Sequence, residues 1–199
     1  MDTEFERLLA EAVRFHGHLC EGQVIGVKMA VAALGELDIR DPRSALDLVI
    51  FSEIDRCPLD ALISVVKRTP GKRSVKILDY GKTAATLADA VTGRGVRVSL
   101  RSDAYARVEA GARQQADPKA AAIAALKAMP AEELLSLARV RVFIPPEDRP
   151  GEFKGAALCE ACGERIRDHK EVMRYGRVLC RPCAEGKAYY RVEDDAFPG

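Results

Sequence analysis

Residues 45–67 read ALDLVIFSEIDRCPLDALISVVK, and within them a strand passes into a helix. Ala45 to Ile54 carries Leu46, Leu48, Val49, Ile50 and Phe51, the short apolar run of a buried strand. Beyond Arg56 the pattern is helical as far as Lys67. Proline is favoured in the first turn of a helix, so Pro58 puts Cys57 at or just before the helix N-terminus. A thiol there faces unpaired backbone N–H groups and the positive end of the helix dipole, which both favour thiolate. Asp60 lies in the first turn, where its structural use is to cap the helix. Cys57 is the best single candidate for a reactive or metal-binding thiol.

Upstream, Glu4 to Arg14 places Phe5, Leu8, Leu9, Ala12 and Val13 on one helical face. Gly22 to Leu37 continues as a second helix through Val24, Val27, Met29, Ala30, Ala33 and Leu34, and Asp41-Pro42 marks its end. Between these helices lie two of the three histidines and one of the six cysteines. His16, His18 and Cys20 alternate, so an extended or loop backbone sets their side chains on one side. Imidazole and thiolate are the usual ligands of zinc and of other borderline or soft ions. Gly17 leaves room beside a bound atom, while Gly22 and Gly26, four apart, let another backbone approach the second helix. Two readings stand: a metal or catalytic site, or a loop with hydrogen-bonded histidines and a small buried cysteine.

Downstream, Thr69 to Arg73 is a turn and Val75 to Leu78 a strand. After Asp79-Tyr80-Gly81-Lys82, residues Thr83 to Val91 read as helical. A lysine after glycine near a helix start can bind an anion, and its other reading is a solvated side chain. A strand follows from Val96 to Leu100. Asp103 to Arg139 is alanine-rich and helical, interrupted at Asp117-Pro118 and Met129-Pro130, and Val140 to Ile144 is a fourth strand. The fold class is α+β, a mixed sheet with packed helices.

The length of 199 residues suits one ordinary domain with a small appendage, and 48% hydrophobic residues can supply a core. Thirty-one basic against 30 acidic residues leave a formal charge of +1, which gives no support to a nucleic-acid partner. No apolar run is long enough to span a bilayer, and a start bearing Asp2, Glu4 and Glu6 is unlike a signal peptide. A soluble cytoplasmic protein is expected, in which six cysteines point to metal or redox chemistry rather than disulfides.

Pro145 to Gly151 is a stiff polar linker with no apolar period. It divides the chain into a core at 1–145, a linker at 146–155, a cysteine module at 156–192 and a tail at 193–199. In the module, Cys159-Glu-Ala-Cys162 and Cys180-Arg-Pro-Cys183 are two Cys-x-x-Cys pairs 17 residues apart, the spacing of a closed tetrahedral four-thiolate zinc site. Glu171 to Leu179 reads as a hairpin turning at Tyr175-Gly176, and Ala184 to Arg191 as a short helix, an order like that of a treble-clef or ribbon finger. So small a module buries too little surface to fold alone. A closed shell is structural, iron in a rubredoxin-like site is the alternative to zinc, and His169 is expected on the hairpin rather than at the metal. Arg165, Arg167, Lys170, Arg174, Arg177 and Arg181 are offset by Glu160, Glu164, Asp168, Glu171 and the acidic tail, which favours a protein-docking surface.

Phe15-His16-Gly17-His18-x-Cys20-x-Gly22, then Cys57-x-x-Asp60-Ala61, Gly71-Lys72 and Asp79-Tyr80-Gly81-Lys82, resemble the core of the FmdE family, which takes its name from formylmethanofuran dehydrogenase. The resemblance runs from about Phe5 to Ile144 and continues in a C-terminal cysteine module. It departs at Glu21, where proline is common, and at Pro58-Leu59. It implies an α+β core, a homodimer, and a metal- or cysteine-centred cleft drawing on His16, His18, Cys20 and Cys57. The name does not carry the activity, because carbon dioxide reduction belongs to a pterin centre and iron–sulfur clusters in other subunits. This chain lacks a ferredoxin-type cysteine run. Three hypotheses follow. One is a small metalloenzyme or redox protein whose catalytic residues are Cys57, Cys20, His18, Asp60 and Lys82, with a core metal of unassigned identity held by His18, Cys20 and Cys57, with or without His16, and an open coordination position. Another is an accessory protein that docks on, or supplies metal or cofactor to, a molybdenum or tungsten enzyme through its finger. The last is a regulatory or nucleic-acid-binding module built on the zinc finger.

Overall fold

Two hydrophobic helices and a five-stranded sheet place the residues singled out above. The computed structural model describes residues 3–151 and 153–190, and the chain divides into two units at Pro145/Pro146. Arg191 of the expected last helix, residues 191–192 of the expected module and the tail at 193–199 lie outside the described residues.

In the first unit, α1 (Thr3–His16) turns Leu8, Leu9 and Ala12 inward. The second helix, α2 (Glu21–Glu36), is apolar nearly all round and buries Val24, Ile25, Val27, Met29, Ala30, Ala33 and Leu34, the pattern of a helix inside a core. Strand β1 (Leu48–Ser52) leads into α3 (Cys57–Val66), as the 45–67 stretch predicts. Then come β2 (Val75–Ile77), β3 (Ala84–Asp89) and β4 (Arg94–Leu100). Helices α4 (Ser102–Ala112), α5 (Pro118–Ala128) and the single turn α6 (Ala131–Leu134) lead to β5 (Leu135–Arg141). The sheet order is β2-β1-β3-β4-β5, with β1 and β2 parallel and every other pair antiparallel. An α+β architecture with a mixed sheet is what the sequence predicts.

Two segments depart from the expected elements. Thr83 to Val91 reads as helical because alanine and leucine dominate it, yet Ala84–Asp89 is β3, the middle strand, paired on both sides. Tertiary context overrides the weak helix propensity here. Buried on both faces, the strand suits small side chains: a Cβ on Gly95 of β4 would lie 2.8 Å from Ala88 Cβ. Leu135 to Arg139, expected as the end of the alanine-rich helix, instead opens β5. That strand ends at Arg141, so Val142 and Ile144 leave the sheet and pack with Val49, Phe51 and Ala90.

One face of the sheet, through Leu48, Ile50, Ala85, Leu87, Val96 and Val98, shares a single core with α1 to α5. Within it α2 and α3 touch almost backbone to backbone. A Cβ on Gly26 would stand 2.5 Å from Pro58 O and 2.7 Å from Ala61 Cβ, and one on Gly22 would stand 2.6 Å from Cys57 Cβ. The two glycines four residues apart thus serve the close approach that their spacing predicts.

The described part of the second unit holds two hairpins, β6 (Ala156–Leu158) with β7 (Arg165–Arg167) and β8 (Val172–Arg174) with β9 (Arg177–Leu179), followed by α7 (Arg181–Glu185), which starts at the second cysteine pair and is ended by Gly186 at φ 67°, not the expected helix from Ala184 onward. Tyr175 and Gly176 have φ of 53° and 75°, the left-handed pair of a two-residue hairpin turn. Among the described residues the buried cluster of this unit is Cys159, Ile166, Leu179 and Ala184. Among the described residues no helix is long and apolar enough to cross a membrane.

Candidate metal centres

Three helix ends meet at the first site. His16 is the last residue of α1, Cys20 is the N-cap of α2, and Cys57 is the first residue of α3. Gly17, at φ +100° and donating its N–H to Val13 O at 2.8 Å, turns the chain out of α1. Gly22 then lets Cys57 come alongside the start of α2. As a result one ligand atom from each of His16, Cys20 and Cys57 lies within 4.8 Å of the other two. Asp60, one turn along α3 from Cys57, points at the same place. Its Oδ2 is 2.7 Å from His16 Nδ1. A carboxylate accepts there, which places a proton on Nδ1 and makes Nε2, 3.9 Å from Cys20 Sγ, the ligand nitrogen of the neutral ring. A carboxylate behind a metal-binding imidazole fixes ring orientation and raises its basicity.

Cys57 does begin a helix, but burial and the neighbouring Cys20 outweigh the help of the backbone N–H, and its thiol is pushed up from its ordinary value. The thiolate expected from the helix position is therefore not free-standing. A divalent ion bound between the thiols would deprotonate them outright.

The other sequence-level candidates fall outside this triad. His18 is exposed, with its ring tilted 39° and centred 4.6 Å from that of His16. Lys82 is exposed just before β3, donates its backbone N–H to Glu53 O at 3.1 Å, and helps hold the Glu53 carboxyl down. Asp60 is a partner of His16 rather than the cap of α3, whose N-cap Arg56 makes no side-chain cap bond.

Sequence reasoning missed three supports. Gln23, fully buried in α2, donates through Nε2 to Cys57 O at 2.7 Å; its polarity within an apolar helix was the available signal. Tyr105 on α4 donates to Glu21 Oε2 at 2.7 Å, beside Cys20, and Arg97 on β4 holds Glu53 at 2.6 and 2.9 Å through both carboxylate oxygens. Nothing local in the chain announces these last two, which join residues 84 and 44 positions apart.

The second site is Cys159, Cys162, Cys180 and Cys183, whose four sulfurs all lie within 4.8 Å of one another. Each pair sits in a tight turn: Gly163 N bonds Cys159 O at 2.9 Å and Ala184 N bonds Cys180 O at 2.9 Å. Backbone N–H groups of Cys162 and Cys180 draw the Cys159 thiol down, while the Cys180 thiol beside it pushes Cys183 up. This cluster could hold a metal with four sulfurs and no vacant position. His169 is exposed and stands beside Glu171, 3.6 Å from its Oε1, outside the four.

Known proteins share this fold. A solved structure, a tungsten formylmethanofuran dehydrogenase FmdE-like protein from Syntrophus aciditrophicus, superposes with a TM-score of 0.62 at 23% identity. The match covers 94% of this chain and 95% of that one. A probable S-adenosyl-L-methionine-binding protein of Archaeoglobus fulgidus is 32% identical over 104 residues, 51% of this chain but only 28% of that relative's length. Residues 15–143, which contain the His16, Cys20, Cys57 and Asp60 constellation, match the family described as "FmdE, Molybdenum formylmethanofuran dehydrogenase operon", and the chain belongs to that family.

Proposed function

We propose that the core unit is a mononuclear metal centre held by His16 Nε2, Cys20 Sγ and Cys57 Sγ, and that the protein acts through the coordination position these three leave open. The observation that carries this reading is the Asp60–His16 contact of 2.7 Å, which turns the imidazole's ligand nitrogen toward two clustered thiols. Three protein ligands with a fourth position for solvent or substrate is the arrangement of catalytic zinc, and four cysteines that of structural zinc. The core is thus the working site and the C-terminal cluster a zinc that holds its module together. A bound divalent ion there would polarise an oxygen ligand or lower the pKa of bound water. The protein's own share is to orient His16 through Asp60, to bring Cys57 against α2 at Gly22, and to anchor the Cys57 carbonyl through Gln23. Small metalloenzyme or redox protein is the reading this supports.

The test is metal content per chain, by mass spectrometry, of protein purified without added metal. About two atoms in the wild type falling to about one in a Cys20→Ala/Cys57→Ala variant supports the core centre; about one in both sinks it.

A second reading rests on the family description, which names a molybdenum formylmethanofuran dehydrogenase operon. It makes the protein an accessory that docks on such an enzyme through the cysteine module. Co-purification with a pterin enzyme, lost on deleting the residues after Gly151, supports it. Co-purification that survives the deletion removes the module's role.

A further inference from the structure

A cavity of about 850 Å³ lies at the other end of the core unit from the thiols. It opens beside Leu48, the first residue of β1, whereas Cys57 follows the last; it borders Glu36, where α2 ends, whereas Cys20 is where α2 begins. Its volume falls within the usual range for small-molecule pockets. We propose that this cleft binds an amphipathic anion, a molecule with an apolar body and a carboxylate, phosphate or sulfonate end, with Arg94 and Arg141 taking the charged end.

The floor is apolar: Leu37, Ile39, Ala45, Leu48 and Val96 line it, all part of or packed on the main core. The rim is where the charge sits. Arg94 on β4 and Arg141 on β5 are directly opposed partners in the antiparallel ladder, and like charges so placed repel. Two of the three carboxylates that line the cleft are engaged elsewhere. Glu36 is engaged by Arg139 at 2.7 Å, and Asp89 Oδ1 accepts from Val91 N, Thr92 N and Thr92 Oγ1 in its own turn. Arg141 donates only to the Thr92 carbonyl, at 3.0 Å, and the Arg94 side chain has no hydrogen bond or ion pair among the described residues. Asp38, also on the rim, leaves an acceptor for a hydroxyl or amine on the ligand body. Two paired guanidinium groups above an apolar floor match a bidentate oxyanion attached to an apolar body.

The probe is 8-anilinonaphthalene-1-sulfonate, titrated into the full chain and followed by its fluorescence. We expect saturable binding that weakens about tenfold or more in Arg94→Ala/Arg141→Ala, with most of it retained in Arg94→Lys/Arg141→Lys. Competition by octanoate or by adenosine 5′-monophosphate distinguishes a carboxylate on an alkyl chain from a phosphate on an aromatic base; displacement by either supports the site. Equal affinity of wild type and alanine variant overturns the proposal, as does displacement by neutral octanol as readily as by both anions. Neither arginine is near the thiols, so the core metal content of the alanine variant stays that of the wild type. Failure here is thus separable from failure of the core centre.

Discussion

The two cysteine clusters are made in opposite ways. Around His16, Cys20 and Cys57 the fold comes first: a core of more than two dozen buried apolar residues brings three helix ends together, and the side chains at those ends converge. Around Cys159, Cys162, Cys180 and Cys183 the buried cluster is four residues, one of them a member of the site itself. There a metal held by the four sulfurs would supply the stability that so small a cluster cannot. A site built by its fold can spare a coordination position for chemistry, whereas a site that builds its fold needs all four ligands.

The largest effect that tests this contrast is chelation. Metal binding to a four-cysteine site contributes on the order of 10 kcal/mol of folding free energy, more than any other interaction available to the second unit. Stripping metal from the full chain, or the change Cys159→Ser/Cys183→Ser, should collapse the amide NMR dispersion of residues 156–190 while leaving that of the core intact. If the core signals collapse as well, the two sites are not built in opposite ways.

The close approach of α2 and α3 sharpens the other half of the comparison. Gly26→Ala forces a methyl to within 2.5 Å of the Pro58 carbonyl, a backbone atom that cannot swing aside. Overpacking of this kind costs about 1–3 kcal/mol or somewhat more, read as a lowered core Tm by calorimetry. Gly22→Ala meets Cys57 Cβ at 2.6 Å and should lower core metal content along with Tm. Gly35→Ala, with nothing within 4 Å, should instead raise Tm, since alanine favours the helix by about 0.5–1 kcal/mol. A Gly22→Ala protein with full metal content would show that the helix contact does not set the core site.

How much of this was legible in the sequence follows the same division. The Cys-x-x-Cys pairs needed no structure, because their spacing is local. Helix α1 was legible from its apolar face, α2 from a long apolar run ended at Asp41-Pro42, α3 from Pro58 in its first turn, and the contact at Gly22 and Gly26 from their spacing. The middle strand was not. Ala-Ala-Thr-Leu-Ala-Asp has the composition of a helix, and only pairing with β1 and β4 makes it β3. Nor could alternation sort the histidines. His16, His18 and Cys20 share a side only if the backbone is extended, but α1 runs through His16 and Gly17 turns the chain, so His16 meets the thiols and His18 faces solvent. The Asp60–His16 bond spans 44 residues and is a product of tertiary folding.

That bond is the next test of a fold-built site. Asp60→Asn keeps the size of the side chain but replaces an obligate acceptor with an amide. The imidazole loses its fixed tautomer, and core metal affinity should fall about 10–100-fold with little change in Tm. Competition with a coloured chelator reads the affinity. A variant that holds core metal as tightly as the wild type would remove Asp60 from the site, and with it the observation on which the open-position reading rests.

The smallest effect concerns the strand end that presents Cys57. Glu53, four residues ahead of Cys57 and with its side chain 10% exposed, is clasped by Arg97, whose side chain is 35% exposed. The hydrogen bonds from Arg97 hold the Glu53 carboxyl below its ordinary value. A carboxyl depressed in the folded state stabilises that state above its unfolded pKa, and the contribution drains away as the pH falls through the lower folded value. In Arg97→Met the carboxylate loses its partner, although Lys82 still offers some attraction. The variant should therefore lie below the wild type in core Tm at neutral pH, by the equivalent of about 1 kcal/mol given the exposure of the arginine. Below the ordinary glutamate range of about 4.3, where Glu53 is protonated in the unfolded wild type and in the variant, the gap should close. A gap that stays constant between neutral and acid pH would assign Arg97 a packing role only. A gap that closes would show that this ion pair fastens the end of β1 from which the chain passes to the thiol.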